Sequence, residues 1–165
     1  MEKCFLVTGI GGSGTRLIGE VFHKLDYDLG QNLNEAYDNL DTAKLFNKFD
    51  GWDPFTEEAY PAFKKKMLEA FSNYSNKSTC VLKTPNFMYF VPYFAKLGKE
   101  LSIDIKWIHV IRDGLYMINS KNQNQFNRWK KFFVVEEAEV DLCKLKFWYL
   151  ANNSARPTLA YSLPK

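Results

Sequence analysis

One stretch near the start of the chain decides the fold, namely Cys4-Phe5-Leu6-Val7-Thr8-Gly9-Ile10-Gly11-Gly12-Ser13-Gly14-Thr15-Arg16. Its first five residues form a short apolar run, which is typical of a buried strand. A cluster of glycines follows, and glycine clusters between periodic segments indicate loops. Apolar residues then recur at helical spacing, at Leu17, Ile18, Val21, Phe22 and Leu25. We therefore predict a strand, a glycine loop and a helix over about 15–26, in direct succession.

The rest of the chain alternates in the same way between apolar strands and helices. The pattern predicts strands at 79–83 and 105–111, and helices at about 42–49, 61–73, 91–101, 116–126 and 136–155. Strands separated by helices imply a parallel sheet. We expect a single α/β domain over 1–165, with three α/β/α layers, a central parallel sheet and a P-loop-like phosphate-binding loop.

Composition excludes several classes of protein. The chain has 165 residues, of which 46% are hydrophobic and 25% are charged, so neither a disordered nor a collagen-like protein is expected. The net charge is only +3 and the basic residues are scattered, which argues against a nucleic-acid partner. Three cysteines lie far apart without a CxxC pair, so the sequence predicts neither a disulfide framework nor a zinc site. No apolar run approaches the ~20 residues of a membrane span, and we expect a cytosolic protein without a membrane partner.

The glycine loop predicts a phosphate site. Backbone N–H groups in a loop between a strand and a helix converge on an anion at the positive end of the helix. The spacing from Gly9 to Gly14 fits a P-loop. However, Thr15 and Arg16 stand where an ATPase or GTPase has lysine and then serine or threonine. The hydroxyl that holds magnesium is displaced, and we expect no metal.

The ends of the other two strands supply further polar side chains. In an open parallel sheet, ligands bind beyond the carboxyl ends of the strands. Lys83 lies at the end of the second predicted strand and would place a cation near the anion of the glycine loop. Arg112 follows the third strand and can bind a second phosphate through two N–H groups, with Ser120 on the next helix adding a hydroxyl. The sequence thus predicts two anion sites for one ligand.

These residues resemble the sulfotransferases that use 3′-phosphoadenosine 5′-phosphosulfate (PAPS). Three segments are similar to motifs of the heparan sulfate 3-O-sulfotransferases and bacterial carbohydrate sulfotransferases. They are the glycine loop with its Gly14-Thr15-Arg16 ending, Lys83-Thr84-Pro85, and Arg112-Asp113 with Ser120. The resemblance runs over about 4–127. It implies that PAPS donates a sulfuryl group to a hydroxyl acceptor, a glycan being one candidate, without a metal. The donor-binding residues that it implies are Gly11, Gly12, Ser13, Gly14, Thr15, Arg16, Arg112 and Ser120.

The resemblance also implies catalytic residues. Arg16 and Lys83 would stabilise the leaving phosphate, and Glu35 falls within one or two positions of the family's catalytic glutamate, with Asp38 and Asp41 as rivals. Replacing Glu35 with Gln is expected to retain donor binding and lose turnover. A contact for an acidic acceptor, such as a sulfated or carboxylated glycan, is one interpretation of Trp129 with Arg128, Lys130 and Lys131, and a solvated basic helix end is the other.

Two features depart from the family pattern. Gly12 stands where most members have Lys or Arg, so one catalytic cation is missing. The chain also ends at Lys165, about where relatives would continue into another strand, which suggests a minimal, truncated or assembly-dependent version; a homo-oligomer is one possibility.

Two other functions fit the same residues. The first is a P-loop nucleotide or metabolite kinase, or a nucleotidase, in which Asp113 would hold magnesium. The second is a noncatalytic module that binds PAPS or adenosine 3′,5′-bisphosphate (PAP), since the loop cation is absent.

Overall fold

The computed structural model describes residues 1–47, 56–74, 78–133 and 139–154. Within them it has three strands, β1 (Lys3–Gly9), β2 (Thr79–Lys83) and β3 (Asp104–Val110). The α-helices are α1 (Thr15–Lys24), α2 (Leu40–Asn47), α3 (Tyr60–Ser72), α4 (Val91–Leu101), α5 (Gly114–Ile118), α6 (Asn124–Trp129) and α7 (Val140–Ser154). Short 3-10 helices cover Glu57–Ala59, Pro85–Phe90 and Lys130–Phe132. The fold is therefore mixed α/β, as the pattern of strands and helices predicts.

The three strands form one parallel sheet in the order β2-β1-β3. Val7 of β1 aligns with Lys83 of β2 and with Ile108 of β3, so all three strands point the same way. Their carboxyl ends consequently meet at one edge of the sheet, where the glycine loop, Thr84 and Arg112 begin. The predicted parallel sheet is confirmed, and it brings the candidate site residues to a common edge.

Apolar side chains cover both faces of this sheet. Successive side chains of a strand point to opposite faces. Cys4 and Leu6 accordingly enter the larger core cluster, whereas Val7 packs with Phe22 of α1 in a smaller one. Lys83 shares its face with Val81, which belongs to the α1 cluster. This alternation places the lysine against α1.

Stacked and edge-to-face aromatic rings dominate the larger cluster. The ring of Phe63 on α3 lies 5.5 Å from that of Phe90 and 5.0 Å from that of Phe94 on α4, and Phe63 is fully buried. Deleting a buried phenylalanine ring typically costs about 3–5 kcal/mol of stability. The sequence is 16% aromatic, and many of these rings lie in this core.

The single helix predicted over 116–126 is wrong, because the structure breaks it into α5 and α6. The carboxamide of Gln123 donates to the backbone carbonyls of Met117, Ile118 and Ser120, over 3.0, 3.3 and 2.7 Å. These carbonyls would otherwise continue the helical ladder, so the glutamine side chain ends α5. The break leaves Ser120 in the connecting turn.

The remaining helix boundaries differ from the predictions by a few residues. α1 ends at Lys24, and Asp26 just beyond it has a φ of 56°, in the left-handed region that stops a helix. The predicted residues 48–49, 136–138 and 155 lie outside the described part of the chain. Within the described segments, no helix combines the length and the apolar character that crossing a bilayer requires.

Candidate functional site

The glycine loop joins the end of β1 to the start of α1 through backbone that only glycine adopts easily. Gly12 and Gly14 have φ values of 95° and 106°, in the left-handed region. Gly14 is the N-cap residue of α1 and has no side chain to accept a hydrogen bond from the first turn. The positive end of a ten-residue helix is therefore left open to an anion.

Two hydroxyl residues of the loop are buried. Ser13 and Thr15 are 8% and 6% exposed, whereas Arg16 is exposed. The Ser13 Oγ atom has no hydrogen-bond partner among the described residues. A buried hydroxyl without a partner costs about 1–3 kcal/mol, which a ligand oxygen or a water can recover. The loop thus contains an unused polar group beside the open helix end.

Arg112 and Ser120 both meet this loop at Gly12. The Nη1 atom of Arg112 donates to the Gly12 carbonyl over 3.2 Å. A Cβ atom built on Gly12 would lie 3.1 Å from Ser120 Oγ. The Arg112 guanidinium also lies 3.4 Å from the ring centroid of Tyr116, which holds its plane over that ring. The structure therefore brings together residues that lie about a hundred positions apart in the sequence.

Lys83 lies against α1, in an ion pair. Its Nζ atom is 2.6 Å from an Asp38 carboxylate oxygen, and its side chain is 1% exposed. Burial lowers the pKa of Lys83, and the neighbouring Asp38 opposes that shift. Gly19 makes room for it, because a Cβ there would lie 2.7 Å from Lys83 Cδ.

The structure brings Asp38, rather than Glu35, to the predicted cation. Glu35 is exposed in a turn, in which Asn34 Oδ1 accepts hydrogen bonds from the backbone N–H groups of Ala36 and Asp38, both over 2.9 Å. Leu33 and Asn39 pair in an antiparallel bridge on either side of this turn, which carries Asp38. The other rival, Asp41, lies on α2 and accepts a hydrogen bond from Asn32.

A cavity of about 230 Å³ opens beside Gly11. Its lining is rich in carboxamide side chains and is formed by Gly11, Asn34, Asp38, Leu40, Ala43, Thr84, Pro85, Asn86, Asn122, Asn124, Gln125 and Arg128. Gln125 is buried, and its Oε1 accepts a hydrogen bond from the Gly11 backbone N–H over 2.7 Å. Sequence reasoning missed Asn86, Asn122 and Gln125, although the run Asn122-Gln123-Asn124-Gln125 was an available signal.

The hypothesis that Trp129 contacts an acceptor is wrong. Trp129 is fully buried and stacks on Tyr89 with ring centroids 4.2 Å apart. Arg128 lines the cavity, whereas Lys130 and Lys131 are exposed. Large aromatic rings beside basic residues in a sequence are as compatible with a core position as with a binding surface.

Helix α7 holds the end of β3 through a hydrogen-bond network. Trp148 Nε1 donates to the Arg112 carbonyl over 3.1 Å. One turn later, Asn152 Nδ2 donates to the Trp148 carbonyl, which directs Asn152 Oδ1 to His109 Nε2, 2.9 Å away. His109 Nδ1 lies 2.9 Å from the Thr8 hydroxyl. The network therefore joins α7 to the carboxyl ends of β1 and β3.

Asp113, the magnesium ligand of the kinase hypothesis, caps a helix. Its Oδ1 accepts a hydrogen bond from the backbone N–H of Tyr116 over 3.0 Å, at the start of α5. Within the described residues, no three His, Cys, Asp or Glu side chains are grouped so that they could hold a metal ion.

Comparisons of this chain with known protein families, with curated proteins and with solved structures return no match.

Proposed function

We propose that the protein is a sulfotransferase that moves a sulfuryl group from PAPS to a hydroxyl of a carbohydrate. The observation that supports this proposal is that Arg112 and Ser120 both lie against the glycine loop at Gly12. An anion bound at the N-terminus of α1 and a second bound at Arg112 would correspond to the two phosphate-bearing ends of PAPS. A nucleotide with only a 5′-phosphate chain would use the loop and leave Arg112 without an anionic partner.

The donor is held by groups of two kinds. Backbone N–H groups of Gly12, Gly14 and Thr15, with the hydroxyls of Ser13 and Thr15, bind the 5′-phosphosulfate. The Ser13 N–H already donates to the Ile10 carbonyl over 2.9 Å. The Arg112 guanidinium and the Ser120 hydroxyl bind the 3′-phosphate. Gly11 takes no direct part through its N–H, because that group already donates to Gln125. The same hydrogen bond fixes the loop in place.

The transfer is an in-line displacement at sulfur. The acceptor oxygen forms a bond to sulfur while the bond from sulfur to the bridging phosphate oxygen breaks, and PAP leaves. Asp38 takes the proton of the acceptor hydroxyl. Protonation neutralises the carboxylate that pairs with Lys83, so the ammonium is released to stabilise the leaving phosphate together with Arg16. Catalysis consists of this proton transfer with positioning and charge stabilisation.

Thermal denaturation with nucleotides tests the donor site. PAP at ~100 times its dissociation constant should stabilise the fold by ~2.7 kcal/mol, whereas ATP with magnesium should stabilise it much less. Arg112→Gln is the matched variant, because it removes the charge while keeping a hydrogen-bond donor, and it should abolish the preference for PAP. Stabilisation by ATP with magnesium alone would overturn the proposal in favour of a kinase.

A second candidate is a noncatalytic module that binds PAP or PAPS. It is favoured by the backbone of Gly12, whose positive φ strains any side chain at the position of the missing cation. Transfer of radiolabelled sulfate from PAPS to a carbohydrate panel separates the two. Labelled product above the level given by an Asp38→Asn and Lys83→Met double variant identifies an enzyme. If the donor binds but no labelled product forms, the result supports the noncatalytic binding module.

A further inference from the structure

The carboxamide of Gln125 has a fixed orientation. The Gly11 backbone N–H can only donate, so the Gln125 atom 2.7 Å from it is the oxygen. The Gln125 nitrogen then donates to Asn86 Oδ1, 3.4 Å away. Gln125 therefore connects the glycine loop to the segment that follows β2.

The same reasoning fixes Asn86. The indole N–H of Trp129 can only donate, and it lies 3.1 Å from Asn86 Oδ1. The Asn86 oxygen thus accepts from both Trp129 and Gln125. Its NH₂ group has no hydrogen-bond partner among the described residues, while Asn86 lines the cavity. The protein consequently offers N–H donors at this wall.

Asn122 offers a second NH₂ group in the lining. Its Oδ1 accepts from the backbone N–H of Asn124 over 3.3 Å. Its Nδ2 would lie 3.4 Å from a Cβ built on Gly11, so this nitrogen lies over the loop. No hydrogen bond from Asn122 Nδ2 is formed within the described part of the chain.

The charges of the lining do not favour an anion. The ionisable side chains are Asp38 and Arg128, one of each sign. An anionic group would be attracted by one and repelled by the other, so these two side chains give it no net electrostatic attraction. The cavity, at about 230 Å³, is also smaller than the ~300–1,000 Å³ of pockets for drug-sized ligands. Its size therefore suits a ligand of about one sugar ring.

We infer that this cavity binds a single uncharged, hydroxyl-rich ring of the acceptor, with Asn86 and Asn122 donating hydrogen bonds to its hydroxyl oxygens. This inference rests on the proposed function and narrows its substrate to neutral sugars rather than carboxylated or sulfated ones. Asp38, in the same lining, then lies beside the hydroxyl that is to be sulfated. Neutral hydroxyls suit carboxamides, because each can donate as well as accept.

Calorimetry with two matched sets of probes tests the inference. The first set is the methyl glycosides of glucose, galactose and mannose, and the second is the corresponding methyl uronosides, titrated into the full chain saturated with PAP. At least one neutral glycoside should bind at least tenfold more tightly than its uronoside. Tighter binding of the uronosides, or no binding of any glycoside to protein that binds PAP, would overturn the inference.

Two variants assign the residues. Asn86→Asp keeps an oxygen for Trp129 and Gln125 and replaces the NH₂ group with a second oxygen. The neutral glycoside should lose no more than about threefold in affinity, since its hydroxyl can donate instead, whereas uronoside binding should disappear. Asn122→Ala should weaken the glycoside about fivefold. Unchanged glycoside affinity in Asn122→Ala, or improved uronoside binding in Asn86→Asp, would contradict the assignment.

The experiment separates this inference from the proposed function. PAP binding without glycoside binding rejects the neutral-sugar cavity and leaves the sulfotransferase proposal standing. Glycoside binding without any PAP binding rejects the sulfotransferase, and with it the role of this cavity as an acceptor site. PAP affinity measured in each variant also shows that the fold is intact.

Discussion

Lys83 and Asp38 form an ion pair of 2.6 Å at the carboxyl end of β2, with only 1% of the lysine side chain exposed and 19% of the aspartate. Truncating one member of a buried pair typically costs about 3–5 kcal/mol, because the other charge is left without compensation. The aspartate remains accessible from the cavity beside Gly11. The carboxylate is therefore within reach of a hydroxyl bound in this cavity.

Replacing Asp38 with Asn should lower turnover with PAPS about 10²–10⁴-fold, because the amide cannot accept the proton. PAP affinity, measured by calorimetry, should not fall, because the Lys83 ammonium stays in place when its anionic partner is neutralised. The paired variant is Glu35→Gln, which removes the carboxylate that the family resemblance favours as the base. Loss of turnover in Glu35→Gln with normal turnover in Asp38→Asn would return the role of base to Glu35.

Introducing a lysine at position 12, where the sulfotransferase motif that the loop resembles has a cation, should lower turnover rather than raise it. Its Cβ would lie 3.1 Å from Ser120 Oγ, and the φ of 95° is strained for any side chain, at about 1–2 kcal/mol. Gly12→Ala is the control, since it introduces the same strain without the charge. Steady-state kinetics of both variants decide the matter, and a Gly12→Lys enzyme faster than wild type would contradict this account.

The strands and their ends could be predicted from sequence because the signals are local. β2 matches its predicted bounds, and β1 and β3 begin or end within one or two residues of theirs. Apolar runs followed by Gly, Pro or Asp mark such ends without knowledge of the fold. Once the strands are parallel, Arg112 and the glycine loop must share an edge of the sheet.

Other features depend on contacts between distant segments. The hydrogen bond from Gly11 to Gln125 joins residues 114 positions apart, and no local pattern indicates it. The break between α5 and α6 likewise follows from the Gln123 side chain rather than from any Gly or Pro. A sequence signal for the Lys83 position did exist, since Gly19 is unfavourable inside a helix and indicates a close approach.

Replacing Trp148 with Phe should weaken PAP binding about 2–10-fold, the usual effect of losing one hydrogen bond of about 0.5–1.5 kcal/mol. The ring remains to pack on Gly114, while the N–H that holds the Arg112 carbonyl is lost. AMP, which lacks the 3′-phosphate, is the comparison ligand, and its affinity should stay the same. Equal weakening of both nucleotides would mean that Trp148 supports the fold in general rather than positioning Arg112.

Alkaline pH should destabilise the protein through Tyr60. Burial, reinforced by the carboxylates of Glu100 and Glu57, raises the pKa of Tyr60 from 10.0 to about 12. The unfolded chain therefore releases this proton at lower pH than the folded chain does, so the free energy of unfolding falls as pH rises from about 10 to about 12. Tyr60→Phe removes the titrating group, so the free energy of unfolding, measured by urea denaturation from pH 9 to 12, should decline less steeply with pH than in wild type.

Tyr149→Phe, at an exposed position on α7, is the control and should leave the slope of the free energy of unfolding against pH unchanged. Parallel curves for wild type and Tyr60→Phe would show that ionisation of Tyr60 is not coupled to unfolding.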